Sequence, residues 1–313
     1  MELTPAFLLT ANGKDITDSL NTDTASFRLT DNDGDVADEL TIVVTGDFKR
    51  PKAGDVLDFS LGYKETGVSF VGRYFVQTTE REDLSILTIT ATSVNWGEAL
   101  KEQRDAKYEK TTVAKIAKIV ADRHKLKVKT DCDDLTTTYI AQQNESDLDF
   151  LSRISDRYDL VFNIKNETVV MLHRSKDKNS SLPRFNVSAI NCGEIRIKHS
   201  NRTYYVAAKA IYRDIKSNKN KEVLVGEKDK KPVLKITDDF KSDTEAKQVA
   251  TAGLAKANRS LKNGSLTQYG SLIFAGGVLN LTDAGEDDGE YIIKSVSHSL
   301  DDNGWSMDIE VEA

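Results

Sequence analysis

Two stretches of this chain read as one piece of β-structure written twice. Residues 53–91 run AGDVLDFSLGY, a loop, GRYFVQTTER, another loop and then LTITA; the last stretch runs AGGVLNLTDAG, a loop, GEYIIKSVSH, SLDDNG and MDIEV. The copies share Ala53/Ala275, Gly54/Gly276, Val56/Val278, Leu57/Leu279, Gly72/Gly289, Tyr74/Tyr291 and Ile89/Ile309. The offset changes by a few residues at each loop, as it should for related strands joined by variable turns. The alternative is two generic β-meanders, since strands everywhere favour Val, Ile, Tyr and Leu. Duplication bears on assembly: a trimer of such chains presents six similar modules in a ring, because cyclic symmetry repeats whatever each subunit brings. Such a ring can adapt a three-fold partner to a six-fold one.

At 313 residues the chain suits two or three domains rather than one core. Its 39% hydrophobic and 30% charged residues, with a mean hydropathy of -0.45, are those of an ordinary soluble protein. No apolar run approaches the ~20 residues that span a bilayer. The N-terminus, MELTPAFLLTANGKD, lacks the basic and apolar regions of a secretory signal, so synthesis in a host cytoplasm is expected. Cys132 and Cys192 have neither CxxC spacing nor a histidine cluster nearby and read as free thiols. A net charge of -7 disfavours nucleic acid as the main partner.

The first hundred residues read as nearly all β: short runs such as SFRLT, LTIVVTG and RYFVQTT separated by turn clusters such as DNDGD and KRPKAGD. That spacing predicts a closed barrel or sandwich. The character changes after Trp96. Residues 111–124 place Val113, Ile116, Ala117 and Val120 on one helical face. A short strand, LKVKTD, precedes a second helix over ESDLDFLSRISDRYDL, where Ser146 stands as N-cap with Asp149 three residues later. LVFNIK and TVVMLHR form a hairpin around Lys165–Glu167. The fold class expected is mainly β with an α/β insertion: a first barrel over 1–98, the insertion over 99–172, and a second barrel over 173–313 with an external helix at 244–262 that Gly264 stops.

Signatures of chemistry are missing. His124, His173, His199 and His298 are scattered, with no HExxH, and there is no GxSxG elbow, P-loop or GxGxxG after a strand. No catalytic residue, metal or cofactor is expected. Asp31, Asp33 and Asp35 alternate around Gly34, but Val36 and Thr41 occupy positions where an EF-hand needs Gly and Glu, so a solvated β-turn is the better reading. Glu286, Asp287 and Asp288 read as a hairpin tip. Lys216, Lys219, Lys221, Lys228, Lys230 and Lys231 read as an exposed hairpin, because acidic residues interrupt them and no aromatics interleave.

The run YIAQQNESDLDFLSRISDRYDLVFNIKNETVVML resembles the phage late control D protein family, the tail hubs of contractile-tailed phages, and more distantly the hub portion of VgrG proteins of type VI secretion. DELTIVVTGDFKRPKAGDVLDFSLGY, ADRHKL, YYVAAKAIYRD, SDTEAKQVA and GEYIIKSVSHSLDDNGWSMDIEVE follow the family's order, so the resemblance covers nearly the whole chain. It implies two related barrels, an α/β insertion and a homotrimer whose six barrels match a six-fold tail tube above a trimeric spike. Self, tube, spike and other baseplate proteins are the implied partners, the virion baseplate the implied location, and no catalytic residues carry over. Unlike VgrG, the chain ends at Ala313 after the second barrel, so the spike is expected on a separate polypeptide.

Within that resemblance Glu145, Ser146, Asp147, Phe150, Leu151 and Arg153 form the most recognisable motif, either touching a partner or capping a helix that fixes the insertion. Leu57, Leu61, Tyr74, Leu279, Leu281 and Tyr291 are candidate contacts between barrels, with each barrel's own core as the alternative. Three functions remain open: a structural hub, the hub of a type VI-like or other contractile injection system, and a lytic tail enzyme.

Overall fold

The computed structural model describes residues 3–20, 25–34, 36–94, 102–175, 181–200, 203–214, 217–259 and 261–313. Asp35, Trp96, Lys216 and the expected boundary at 98/99 lie outside the described residues. The first barrel is built from β1 (Pro5–Ala11), β2 (Lys14–Asp15), β3 (Ala25–Asn32), β4 (Glu39–Thr45), β5 (Val56–Tyr63), β6 (Gly67–Glu82) and β7 (Ile86–Thr92). These strands run in the order β3-β4-β7-β6-β5-β1-β2. Alternation sets their faces: β3 buries Ala25, Phe27, Leu29 and Asp31 and turns Arg28 outward. Phe7 on β1 meets Phe27 on β3 with ring centroids 4.4 Å apart, which curls the sheet round a core of Leu40, Phe59, Leu61 and Leu87.

A central unit follows. Strand β8 (Gln103–Thr112) leads into α1 (Val113–Arg123), β9 (Lys127–Thr130), β10 (Thr136–Ser146), α2 (Asp147–Tyr158), β11 (Leu160–Lys165) and β12 (Thr168–His173). Both helices start on side-chain caps: Thr112 accepts from the Lys115 N–H and Ser146 from the Asp149 N–H. Asn166 and Glu167 both have positive φ, the two-residue turn that a tight hairpin requires.

The last part contains β13 (Arg184–Ser188), β14 (Cys192–His199), β15 (Ala207–Asp214), β16 (Lys219–Gly226), β17 (Val233–Thr237), α3 (Asp243–Arg259), β18 (Lys262–Tyr269), β19 (Val278–Thr282), β20 (Gly289–Asp301) and β21 (Gly304–Glu312). Its arrangement corrects two expectations. Strands β15 to β17 form a sheet of their own, and Ala208, Ala210, Tyr212, Phe240 and Ala246 share a core with Ile116, Phe150 and Met171. Strands β15 to β17 and α3 therefore pack with the central unit, because α3 buries its apolar face on β15, β16 and α2. The helix also ends at Arg259 rather than 262, and Gly264 lies inside β18, where strand partners on both sides claim the chain. A Cβ at Gly264 would lie 2.5 Å from the Arg196 carbonyl oxygen, so this glycine permits close strand approach and stops no helix.

The second barrel uses β14-β18-β21-β20, with β19 between β20 and β13. Its meander repeats the first in register. Val56 faces Phe75 and Leu57 faces Tyr74, while Val278 faces Ile292 and Leu279 faces Tyr291. Each long middle strand carries a bulge at the corresponding place, between Val76 and Thr78 and between Ile293 and Ser295. Shared strand preference explains similar residues but not matching bulges. Duplication is the reading that accounts for both. The copies differ at the border, where β1 is antiparallel to β5 but β13 is parallel to β19.

Beyond its bulge β20 leaves β19 and pairs with β3, from Ser295 opposite Asn32 to Leu300 opposite Phe27. Both barrels thereby belong to one 13-stranded sheet among the described residues. Leu300 and Trp305, from the second meander, enter the core of the first barrel. Gly270 makes room for Trp305: a Cβ there would sit 1.9 Å from the indole ring, and the Gly270 carbonyl accepts from the Tyr63 hydroxyl at 2.7 Å.

His298 lies at the same crossing, 2% exposed. Its Nε2 is 3.1 Å from the Ile273 carbonyl and its Nδ1 accepts from the Trp305 indole at 3.3 Å, an arrangement that requires the neutral ring. Burial, only partly opposed by the Asp31 charge, pushes its pKa from 6.5 down to about 4. The unfolded chain then binds the proton first, so stability is full above about pH 6.5 and falls by as much as ~3 kcal/mol on acidification through the folded value. In urea unfolding, the stability of the parent chain relative to His298→Gln should fall on acidification across this range, whatever slope other groups such as Asp38 add to both proteins; a difference that does not change with pH would remove His298 as a titrating group.

Candidate functional site

Three charged groups bring the barrels and the central unit together. Asp31 and Asp38, 2% and 4% exposed, flank the loop after β3, and Lys165 reaches both from the end of β11. The Lys165 Nζ lies 3.3 Å from Asp38 and closer still to Asp31. The other Asp31 oxygen accepts the Ala275 N–H at 2.8 Å, which ties the start of the second meander to the first barrel. Asp38 also accepts from the Asn32 N–H at 3.0 Å and from the Asn163 amide at 3.1 Å. Burial pushes the Asp38 carboxyl up to about 7 against the pull of Lys165. Burial would lower the Lys165 ammonium, but Asp38 and Asp31 hold it above its ordinary value.

A second chain of charges runs alongside. Asp33 pairs with Arg174, whose Nε lies 3.6 Å from Asp159; Asp159 pairs with Arg259, and Arg259 reaches Glu312 at 2.6 Å. One relay thus connects the first barrel, the central unit, α3 and the last strand of the second barrel. Asp31 and Asp33 were expected in a solvated turn; both are buried, because the turn is covered by the central unit and its carboxylates meet cations there. A cleft of about 540 Å³ beside them is lined by Asp33, Arg174, Arg259, Lys294 and Glu312. Within it Asp33 pairs with Arg174 and Glu312 with Arg259.

The motif over 145–153 has structural work for every member. Glu145 takes two hydrogen bonds from Arg153, at 2.8 and 2.9 Å, and the guanidinium sits 5.4 Å over the Phe150 ring. Asp147 is fully buried and accepts from Arg123 at 2.5 Å and Gln142 at 2.9 Å, with His124 at 2.6 Å. Burial would raise its carboxyl, yet these hydrogen bonds hold it below the usual range. Phe150 and Leu151 lie in the central core. Within the chain, these contacts cap α2 and hold the insertion together.

Leu57, Leu61 and Tyr74 fill the first barrel, and Leu279, Leu281 and Tyr291 fill the second, each no more than 3% exposed. Neither β5 nor β19 is an edge, since each is paired on both sides. These side chains supply core, the alternative stated for them. The described lysines of the basic stretch fall on β16 and the turn after it, where Lys221 pairs with Asp214 and Lys230 with Glu227. Asp287 ends a short 3-10 turn and meets His199 and Lys262. Among the described residues no group of three His, Cys, Asp or Glu is placed to hold a metal. Sequence reasoning missed Asp38, Lys165, Arg174, Asp159 and Arg259; lone charges ending apolar strands, as Lys165 and Arg174 do, were the available signal.

A family model described as the phage tail baseplate hub (GPD) matches residues 73–304. A probable baseplate hub protein of Escherichia phage 186 is 32% identical over 169 residues, 52% of this chain and 43% of that protein, so the match spans less than half of the curated relative. The 43 kDa tail protein of prophage MuSo2 from Shewanella oneidensis aligns over 98% of both chains with a TM-score of 0.72 and 16% identity. The E. coli c3393 protein, described as a component of the type VI secretion system, aligns over 97% of this chain and 76% of its own with a TM-score of 0.62 and 12% identity. At these identities the solved structures agree on the fold.

Lys165→Met leaves Asp31 and Asp38 buried without their cation. A loss of about 3–5 kcal/mol in urea unfolding is expected near neutral pH. Acidification protonates the stranded carboxylates and should return part of that stability, opposite in sign to the effect of His298. A loss below about 1 kcal/mol would mean that the junction is held elsewhere.

Proposed function

We propose that this chain, which belongs to the phage tail baseplate hub family, is a structural, non-enzymatic hub of a tail baseplate. Three copies close into a ring of six pseudo-equivalent barrels that joins a six-fold tail tube to a three-fold spike. The observation that carries this reading is the repeated meander register with its matched bulge, since only a duplicated module lets a trimer offer six nearly equal positions. The first barrel, built from β1 to β7, and a second barrel built from β13, β14 and β18 to β21 form the ring, and the central unit, enlarged by β15 to β17 and α3, stands beside it. Self, tube, spike and neighbouring baseplate proteins are the partners, and the virion tail is the location.

The reading is supported by the use of the charged cleft's Asp33, Arg174, Arg259 and Glu312 to join the barrels to the central unit. Light scattering across a concentration series should give three times the 34.7 kDa chain mass, alone or after co-expression with a tail tube protein and a spike. A strict monomer that captures neither partner, or turnover of peptidoglycan by the purified protein, would overturn the proposal.

A further inference from the structure

We propose that the outer edge of β14 in one copy pairs antiparallel with the second half of β6 in the next, repeating between subunits the seam that β3 and β20 make within one. This rests on the hub reading and deepens it by naming the strand edges and the register that join the copies.

Among the described residues the two strands are unpaired on the sides in question. β5 covers β6 only as far as Phe75; beyond the bulge, residues 78–82 pair with β7 on one side and with no strand on the other among the described residues. β14 pairs with β18 and ends the sheet. An open row of main-chain donors and acceptors is a template for another strand. These edges are the counterparts of the pair already joined inside the molecule. Thr79 faces Ile89 as Val296 faces Ile309, and Ile195 faces Leu266 as Phe27 faces Ile42. The second half of β6 thus stands for that of β20, and β14 stands for β3.

Transferring the internal register makes the proposal specific. Ser297 opposite Thr30 becomes Glu80 opposite Lys198, and Ser299 opposite Arg28 becomes Glu82 opposite Arg196. Two acidic residues on one edge meet two basic residues on the other, all four exposed in the single chain. The parity is also right. Asp33 donates its N–H to the Lys294 carbonyl at 2.9 Å, so Thr30/Ser297 and Arg28/Ser299 are the non-hydrogen-bonded pairs of the ladder, whose side chains approach most closely. Glu80/Lys198 and Glu82/Arg196 inherit that position. On β14 the Ser200 N–H points to the Leu261 carbonyl, on the β18 side, which leaves Ile195, Ile197 and His199 to offer their main chains outward. Leu84 and Ile190, 86% and 79% exposed, lie beyond the same end of the paired strands and cover one another there. The exposed Arg50 guanidinium, which donates to the Thr79 carbonyl at 3.1 Å, is displaced by the incoming strand. Each copy offers one edge of each kind, the head-to-tail contact that closes into a ring.

The test is disulfide trapping in the full chain with Cys192 replaced by Ser and the buried Cys132 kept. Glu80→Cys with Lys198→Cys should give covalent dimers and trimers on a non-reducing gel, at least about tenfold more than the out-of-register pair Glu80→Cys with Arg196→Cys. A trimer by light scattering with no such product overturns the seam and leaves the hub reading standing. A chain that stays monomeric to high concentration, alone and with the tail tube protein, and gives no product overturns both. As a second measurement, Glu80→Lys with Glu82→Lys should weaken self-association, and adding Lys198→Glu with Arg196→Glu should restore it; equal association of all three proteins also overturns the seam.

Discussion

The pairing of β20 with β3 is the contact on which the rest of the architecture depends. It turns two barrels into one continuous sheet, and it does so with main-chain hydrogen bonds, which hold direction and register more firmly than side-chain packing alone. Because Leu300 and Trp305 travel with that strand pair, the second meander also completes the first barrel's core. Neither barrel can shift without moving the other.

That rigidity explains where the charges lie. A junction of three bodies traps polar groups that a simple barrel would leave in water, and buried carboxylates need cations to remain there. Asp31, Asp33 and Asp38 from the first barrel meet Lys165 and Arg174 from the central unit, and the relay through Asp159 and Arg259 ends at Glu312 on the last strand. Such pairs act through geometry: they reward one relative placement of the bodies and penalise others.

Much of this was legible in the sequence. Strand alternation, the cap Ser146, the hairpin at Asn166 and Glu167 and the repeated meander blocks are local signals, and each appears where its pattern placed it. The misreadings share one cause. Asp31 and Asp33 sit in a sequence that any solvated turn would use, and only the central unit folding over them makes them buried. Alanines at helical spacing continue towards Leu261, yet the ladder partners of β18 end the helix at Arg259. Strands β15 to β17 look no different from barrel strands, and their assignment to the central core follows from what α3 covers.

By itself the sequence determined the local elements, the repeated blocks and the lack of catalytic motifs, because hydrophobic period, capping and turn chemistry act over a few residues. Only the tertiary structure decided which strand edges are closed and which remain open, which carboxylates are buried, and to which core each element belongs. Those outcomes depend on residues more than a hundred positions apart, such as Asp31 with Lys165 and Phe27 with Leu300, and no short-range pattern encodes such a meeting.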